Sequence, residues 1–191
     1  MEYIVIIISA VLVSNIVLAQ FLGICPFLGV SGKVSTSVGM SAAVMFVMTL
    51  ATIVTWAIST YILTPLEITF LRTISYILVI ASLVQMVEII MKKISPPLYQ
   101  ALGIYLPLIT TNCAILGVAL LTISKNFNLL EGIVFAIANA IGFGLAMMLF
   151  AGLREHMDLM EPPKGMRGVP IALVTAGILA LAFMGFSGLV K

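Results

Sequence analysis

Long stretches without a charged side chain constrain the fold of this chain more than any other feature. The run 3–32 has 30 residues and the run 94–124 has 31, whereas one transmembrane helix needs about 20 apolar residues. Charged residues make up 8% of the chain, and a soluble domain carries roughly 25%. Because so few charges cannot cover a water-facing surface, the sequence predicts an integral membrane protein.

Several other classes of protein are excluded on the same grounds. A net charge of +2 is too small for electrostatic binding of nucleic acid, and two cysteines cannot form a disulfide framework. The apolar runs do not alternate with polar residues, so a β-barrel is not expected. The start of the chain lacks a basic segment and its apolar run is too long for a cleavable signal peptide, so the first span should be retained.

We therefore predict an all-α membrane fold, a single domain over 1–191 with six transmembrane helices. The predicted spans are 3–24, 39–63, 68–91, 98–121, 129–152 and 168–190. Six Lys and Arg residues fall on the side opposite the termini and three on the side of the termini, which places both termini outside the cytoplasm. The polar segment 153–167 would be cytoplasmic, either as a solvated connection or as a docking surface for a soluble partner domain.

An internal repeat surrounds the two cysteines. Cys25 and Cys113 each begin the pattern C-x-x-L-G-V, and they lie 88 residues apart. A unit of this length holds three spans, and an odd number of spans inverts the second copy in the membrane. The sequence thus predicts a 3+3 inverted repeat with halves of about 1–93 and 94–191.

The helices that carry the cysteines are predicted to be broken. Each charge-free run is too long for one span and too short for two, and backbone that leaves a helix inside a membrane must line a buried site. Pro26 suits the first position of a new helix, and Asn112 suits the cap before Cys113. Each cysteine would then lie at a helix start, with Gly29 and Gly117 allowing close approach of a neighbour.

Two thiolates among free backbone N–H groups form a site for a soft metal or a cluster. Zinc and iron–sulfur clusters need about four such ligands, so a second pair must come from a partner chain or a second copy. The alternative is that both cysteines are small buried hydrophobic residues. Asn15, Gln20 and Asn139 are weaker candidates, since polar residues in apolar runs bond across helices more often than they line an ion path.

The cysteine motifs identify a resemblance to a known family. The segments 14–31 and 101–118 resemble the two cysteine motifs of the A-type subunits of Rnf electron-transport complexes. The closing segments 170–173 and 182–186 also fit, so the resemblance spans essentially the whole chain. The D and E subunits of the sodium-translocating NADH:quinone oxidoreductase belong to the same family and remain an alternative, although Cys25 followed by Pro26 is more similar to the Rnf type.

This resemblance implies a function that the composition does not show. Rnf complexes couple electron transfer between ferredoxin and NAD to sodium or proton translocation across a bacterial or archaeal cytoplasmic membrane. Their A-type subunit would share a 2Fe–2S cluster with a homologous six-span E-type subunit, with Cys25 and Cys113 as this chain's ligands. Other subunits would carry flavin and further iron–sulfur centres, and no independent active site is expected here.

Two functions of other classes remain open at this point. A small secondary transporter or channel also uses inverted repeats and broken helices, but it should line its path with polar or ionisable residues, which are rare in these spans. A purely structural subunit would make both cysteines dispensable.

Overall fold

The computed structural model describes residues 2–65, 69–94, 106–160, 163 and 165–188, and every regular element among them is a helix. We number the α-helices α1 to α8 in chain order. They are α1 (Glu2–Ile8), α2 (Ile24–Val30), α3 (Val34–Ile58), α4 (Arg72–Ile94), α5 (Leu106–Thr110), α6 (Cys113–Ser124), α7 (Leu129–Leu159) and α8 (Val169–Met184). The π-helical turns Ser9–Val13 and Ser59–Leu63 extend α1 and α3, and short 3₁₀ segments flank α4 and α8.

Helices α3 and α7 form the centre of the bundle, with the most extensive packing of any pair. Small residues on α7 permit close packing: an added Cβ at Gly144 would lie 3.2 Å from the Cβ of Ser41 on α3, and one at Gly132 would lie 2.8 Å from Cγ2 of Thr122 on α6. Between them, Ala136 and Ala140 are fully buried. These four small residues form a stripe on α7 that lets neighbouring helices approach closely.

The remaining helices surround this pair. Helix α6 packs on both α3 and α7, α1 and α8 pack on α7, and α4 contacts α3, α5 and α6. Many apolar side chains still face outward, among them Phe46, Ile74, Leu78 and Ile178. An apolar outer surface is what lipid or a membrane-embedded partner requires.

Four helices among the described residues are long and apolar enough to cross a membrane. They are Val34–Leu63, Arg72–Ile90, Pro107–Ser124 and Leu129–Leu159. The apolar helices Tyr3–Val13 and Val169–Met184 are shorter. The all-helical membrane fold is therefore confirmed at this level, and the count of six spans and the inverted repeat remain predictions.

Several predicted helix boundaries were wrong. The first span, predicted as 3–24, ends at Val13, because the chain leaves the helix at Ser14 and starts again at Ile24. The second begins at Val34 rather than 39, since hydroxyl side chains such as Ser37 and Ser41 bond to the carbonyl four residues earlier and tolerate the helix. The first part of the fourth predicted span, 98–105, lies outside the described residues.

Helix α7, which corresponds to the fifth predicted span, is also longer than predicted. It continues from 152 to Leu159, so half of the polar segment 153–167 is helical rather than loop. Arg, Glu and Met are good helix formers, and nothing before the proline pair stops the helix. At 31 residues, α7 is about 46 Å long and exceeds the hydrocarbon core of about 30 Å. Its polar end therefore extends beyond the membrane.

Candidate functional site

Each cysteine lies at the start of a helix. Cys25 is the second residue of α2, which follows Gly23 in the left-handed conformation (φ 79°), and Cys113 is the first residue of α6. Asn112 caps α6, because its Oδ1 accepts a hydrogen bond from the Ala114 N–H at 3.0 Å. The predicted cap at Asn112 is confirmed, whereas Pro26 occupies the third position of α2 rather than the first. That position still has no helical partner for an N–H, so proline is tolerated.

The two cysteine motifs are in direct contact although they lie far apart in the chain. The backbone N–H of Gly23 donates a hydrogen bond to Sγ of Cys113 at 2.8 Å. Any Cβ at residue 23 would lie 3.0 Å from Cβ of Ala114 and 3.0 Å from Cε2 of Phe143, so both the backbone conformation and the space require glycine. Cys113 thus contacts Gly23, which lies two residues before Cys25 in the chain.

The repeated glycines of the two motifs differ in how closely they are packed. An added Cβ at Gly117 would lie 2.6 Å from Cδ1 of Leu22, which is the close approach that the motif predicts. At Gly29 the nearest atom, Cδ1 of Leu108, would be 3.6 Å away, an ordinary contact. Close packing is therefore confirmed at Gly117 and is not required at Gly29.

The two short helices lead from this site toward opposite ends of the bundle. Helix α2 has seven residues and ends at the turn before α3, while α6 has 12 residues and ends at Lys125. At 1.5 Å per residue they measure about 10 Å and about 18 Å. Their sum is close to the hydrocarbon thickness of about 30 Å.

Both thiols are free and accessible from outside the chain. Cys25 is exposed and Cys113 is half-buried. Among the described residues, no three His, Cys, Asp or Glu side chains gather in one place, so this part of the chain offers two thiols and no complete set of four ligands.

Cys113 also lines a cavity of about 300 Å³. Its walls are mostly apolar and come from α4, α5 and α6, through Ile77, Ile80, Ala81, Thr110, Thr111, Asn112 and Leu116. Asn112 is 3% exposed, and its Nδ2 has no hydrogen-bond partner among the described residues. The residues that line the cavity thus include one cysteine and one asparagine whose amide donor is buried.

Arg154 holds the short helix α2 in place. Its Nη1 donates to the Leu28 carbonyl at 2.8 Å and lies 3.0 Å from Oγ of Ser31. Beside it, the rings of Phe27 and Phe150 stack with centroids 4.3 Å apart. A cation near the last carbonyls of a helix compensates the dipole. The sequence indicated Arg154 only as a charge at the membrane edge, and its position at the end of an apolar run was the one available signal.

The three weaker polar candidates, Asn15, Gln20 and Asn139, differ in burial and in hydrogen bonding. Asn15 is fully buried: its Nδ2 donates to the carbonyls of Val11 at 3.1 Å and Gly142 at 2.8 Å, and its Oδ1 accepts from the Val17 N–H at 3.1 Å. This confirms bonding across helices. Asn139 donates within its own helix, to the Phe135 carbonyl, and Gln20 is exposed.

Known proteins match the chain over nearly its full length. The family model described as "Rnf-Nqr subunit, membrane protein" matches residues 3–190. The chain belongs to the Rnf-Nqr family. Among its relatives in this family, the A-type subunit of the ion-translocating oxidoreductase complex of Syntrophotalea carbinolica is 60% identical over 97% of this chain and 96% of its own.

Two further relatives in the Rnf-Nqr family are nearly as similar. The A-type subunit of the Na⁺-translocating ferredoxin:NAD⁺ oxidoreductase complex of Acetobacterium woodii is 57% identical over 99% of this chain and 98% of its own. The corresponding subunit of the ion-translocating oxidoreductase complex of Serratia proteamaculans is 54% identical over 100% and 98%. The family resemblance predicted from the cysteine motifs is confirmed.

Proposed function

We propose that this chain is the A-type membrane subunit of an ion-pumping ferredoxin:NAD oxidoreductase complex in a bacterial or archaeal cytoplasmic membrane. Family membership and the names of full-length relatives support a membrane subunit of an ion-translocating oxidoreductase. The finer role is electron transfer through an iron–sulfur cluster, taken as 2Fe–2S, that Cys25 and Cys113 hold together with two ligands from a homologous six-span subunit. Sodium or proton translocation is coupled to that transfer.

The observation that carries the proposal is the Gly23 N–H hydrogen bond to Sγ of Cys113. It holds the two cysteine motifs side by side and directs a backbone donor at a sulfur ligand, as anionic thiolate–metal groups require. The exposure of Cys25 leaves the site open toward a second chain. The donor set of two thiols, a helix start and backbone N–H groups thus fits half of a shared cluster site.

The depth of the site fits electron transfer across the membrane. When bound, the cluster supplies a one-electron carrier. This chain's own contribution is to fix two sulfur atoms well inside about 30 Å of hydrocarbon, where they divide the distance between centres on the two membrane faces. Helices α2 and α6 begin at Ile24 and Cys113, and the start of a helix favours negative charge nearby.

The proposal predicts that both cysteines are needed for iron binding. In the complex purified with all its subunits, Cys25→Ser or Cys113→Ser should remove one cluster's iron, acid-labile sulfide and EPR signal, and should stop ferredoxin-driven reduction of NAD. Gly29→Ala is the matched control, because it changes α2 next to Cys25 at a position with ordinary packing. Wild-type complex without iron assignable to this subunit would refute the proposal.

The same variants test the coupling to ion transport. Vesicles that contain wild-type complex should accumulate ions on addition of reduced ferredoxin and NAD, measured as ²²Na⁺ uptake or as acidification. Cys25→Ser should abolish uptake together with electron transfer. Uptake that continues at the wild-type rate in this variant would favour a secondary transporter instead.

A further inference from the structure

The carboxamide oxygen of Asn112 has a hydrogen-bond partner, whereas its amide nitrogen has none among the described residues. Its Oδ1 caps α6 by accepting the Ala114 N–H. Its Nδ2 is buried and has no acceptor among the described residues. A buried amide donor without an acceptor is costly, so a group that accepts its hydrogen bond is expected in the functional assembly.

The capping bond fixes the direction of this donor. With Oδ1 held by the Ala114 N–H, the planar carboxamide cannot rotate freely and Nδ2 stays on its other side. Asn112 lies next to Cys113 in the chain and lines the same cavity. An added Cβ at Gly23 would be 3.3 Å from Oδ1 of Asn112, so the amide also lies against the residue whose N–H bonds to Sγ of Cys113.

Among the described residues, the cavity wall offers few acceptors to this donor. The cavity walls are apolar except for Thr110, Thr111, Asn112 and Cys113. Thr111 is exposed, and its hydroxyl donates to the Pro107 carbonyl of its own helical turn at 2.9 Å. The chemistry that fits the remaining space is a sulfur acceptor bound through Cys113.

We infer that Asn112 is a positioning residue for the cluster and that its Nδ2 donates a hydrogen bond to a sulfur atom of the group held by Cys113. This inference rests on the proposed function. A hydrogen bond to a cluster sulfur stabilises the reduced, more negative form and so raises the reduction potential. Asn112 thereby sets the potential of the cluster without serving as a ligand.

The test is an EPR-monitored redox titration of the assembled complex that carries Asn112→Ser. Serine is a good N-cap and preserves the start of α6, but it removes the amide donor. We expect the cluster to remain bound and its one-electron reduction equilibrium to fall about tenfold, which corresponds to a potential about 59 mV more negative. Asn112→Asp keeps an acceptor for the Ala114 N–H and adds negative charge, so it should lower the potential further.

Asn128→Ser is the matched control. Asn128 is the N-cap of α7, where its backbone N–H donates to Oε2 of Glu131 at 2.9 Å, and it is not in the wall of the cavity that Cys113 lines. This variant should leave the potential unchanged. An unchanged or raised potential in both Asn112 variants would overturn the inference. Complexes that assemble with both variants but hold no cluster would also overturn it, because Asn112 would then be required for cluster binding itself.

A second measurement uses the unmodified complex and does not depend on the folding of a variant. With ¹⁵N introduced only into asparagine side chains, the reduced cluster should show a hyperfine coupling to one such nitrogen. Absence of this coupling in a complex with an intact cluster signal would refute the inference about Asn112 alone. Absence of the cluster in wild-type complex would refute the proposed function first.

Discussion

Asn15 replaces the helical hydrogen bonds that the chain loses between α1 and α2. Its carboxamide bonds to two carbonyls, of Val11 and Gly142, and accepts from the backbone N–H groups of Val17 and Leu18. Inside a membrane no water can satisfy such groups. One side chain therefore makes an irregular segment possible at this depth.

We predict that Asn15→Ala destabilises the subunit strongly. It leaves the buried backbone N–H groups of Val17 and Leu18 without an acceptor, and such losses cost about 1–3 kcal/mol each. The matched variant Asn139→Ala removes one bond within a helix and should cost much less. Thermal unfolding of the purified complex, followed by the loss of intact subunit, measures both. Equal midpoints for the two variants would contradict this role of Asn15.

Helix α2 is too short to be stable by itself. It has seven residues, and isolated helices below about 12 residues are marginal in water. Its order depends on tertiary contacts, chiefly the stack of Phe27 on Phe150 and the bonds from Arg154 to Leu28 and Ser31. The position of Cys25 is therefore fixed by residues of α7.

We predict that Arg154→Ala loosens α2. Hydrogen exchange of the backbone amides in 24–30 should become faster, because the last turn of the helix loses its cationic cap. Arg154→Lys should restore part of the protection, since lysine keeps the charge but makes fewer directed bonds. Arg167→Ala, at an exposed position in the turn before α8, is the control and should leave this exchange unchanged. Identical exchange in Arg154→Ala and wild type would contradict the prediction.

The sequence was most informative where local chemistry decides the structure. The break before Cys113 and its cap at Asn112 follow from the preferences of adjacent residues, and the repeat around Cys25 predicted that the two motifs belong together. Contacts between distant residues could not be predicted in this way. Arg154 and Leu28 are 126 residues apart, and no local pattern states which carbonyl an arginine will reach.

The ends of helices were also predicted poorly from the sequence. Charge placed the end of the fifth span at the membrane edge, but a helix can continue into water as long as its residues favour it. The structure accordingly extends α7 to Leu159. The ligand role of both cysteines and the shared cluster stay predictions.

The whole bundle has two distinguishable ends. At one end Arg154 contacts Ser31, close to Lys33, and at the other Trp56 Nε1 donates to the Phe127 carbonyl at 3.1 Å, close to Lys125. This grouping agrees with the predicted spans, which put Lys33 and Arg154 on one side of the membrane and Lys125 on the other; that the side of Lys33 and Arg154 is cytoplasmic stays a prediction.

We predict the corresponding behaviour of reporter fusions. Alkaline phosphatase, which folds only outside the cytoplasm, should be active when fused after Lys191 and inactive when fused after Pro163. Green fluorescent protein at the same positions should give the opposite pattern. The reverse result would show that the chain is inserted with its termini in the cytoplasm.

The hydrogen bonds that close this bundle also dictate an order of events during synthesis. The bond from Asn15 to the Gly142 carbonyl cannot form until 127 more residues have been made, and the bond from Gly23 to Cys113 cannot form until 90 more have been made. At about 5–20 residues per second, the first delay lasts roughly 6 to 25 seconds. Throughout that interval the Asn15 amide lacks its bond to the Gly142 carbonyl and the Gly23 N–H lacks its sulfur acceptor, although the local bonds of Asn15 to Val11, Val17 and Leu18 can already form. The insertion machinery or a polar edge of the membrane must therefore shelter the N-terminal segment until the rest of the chain arrives.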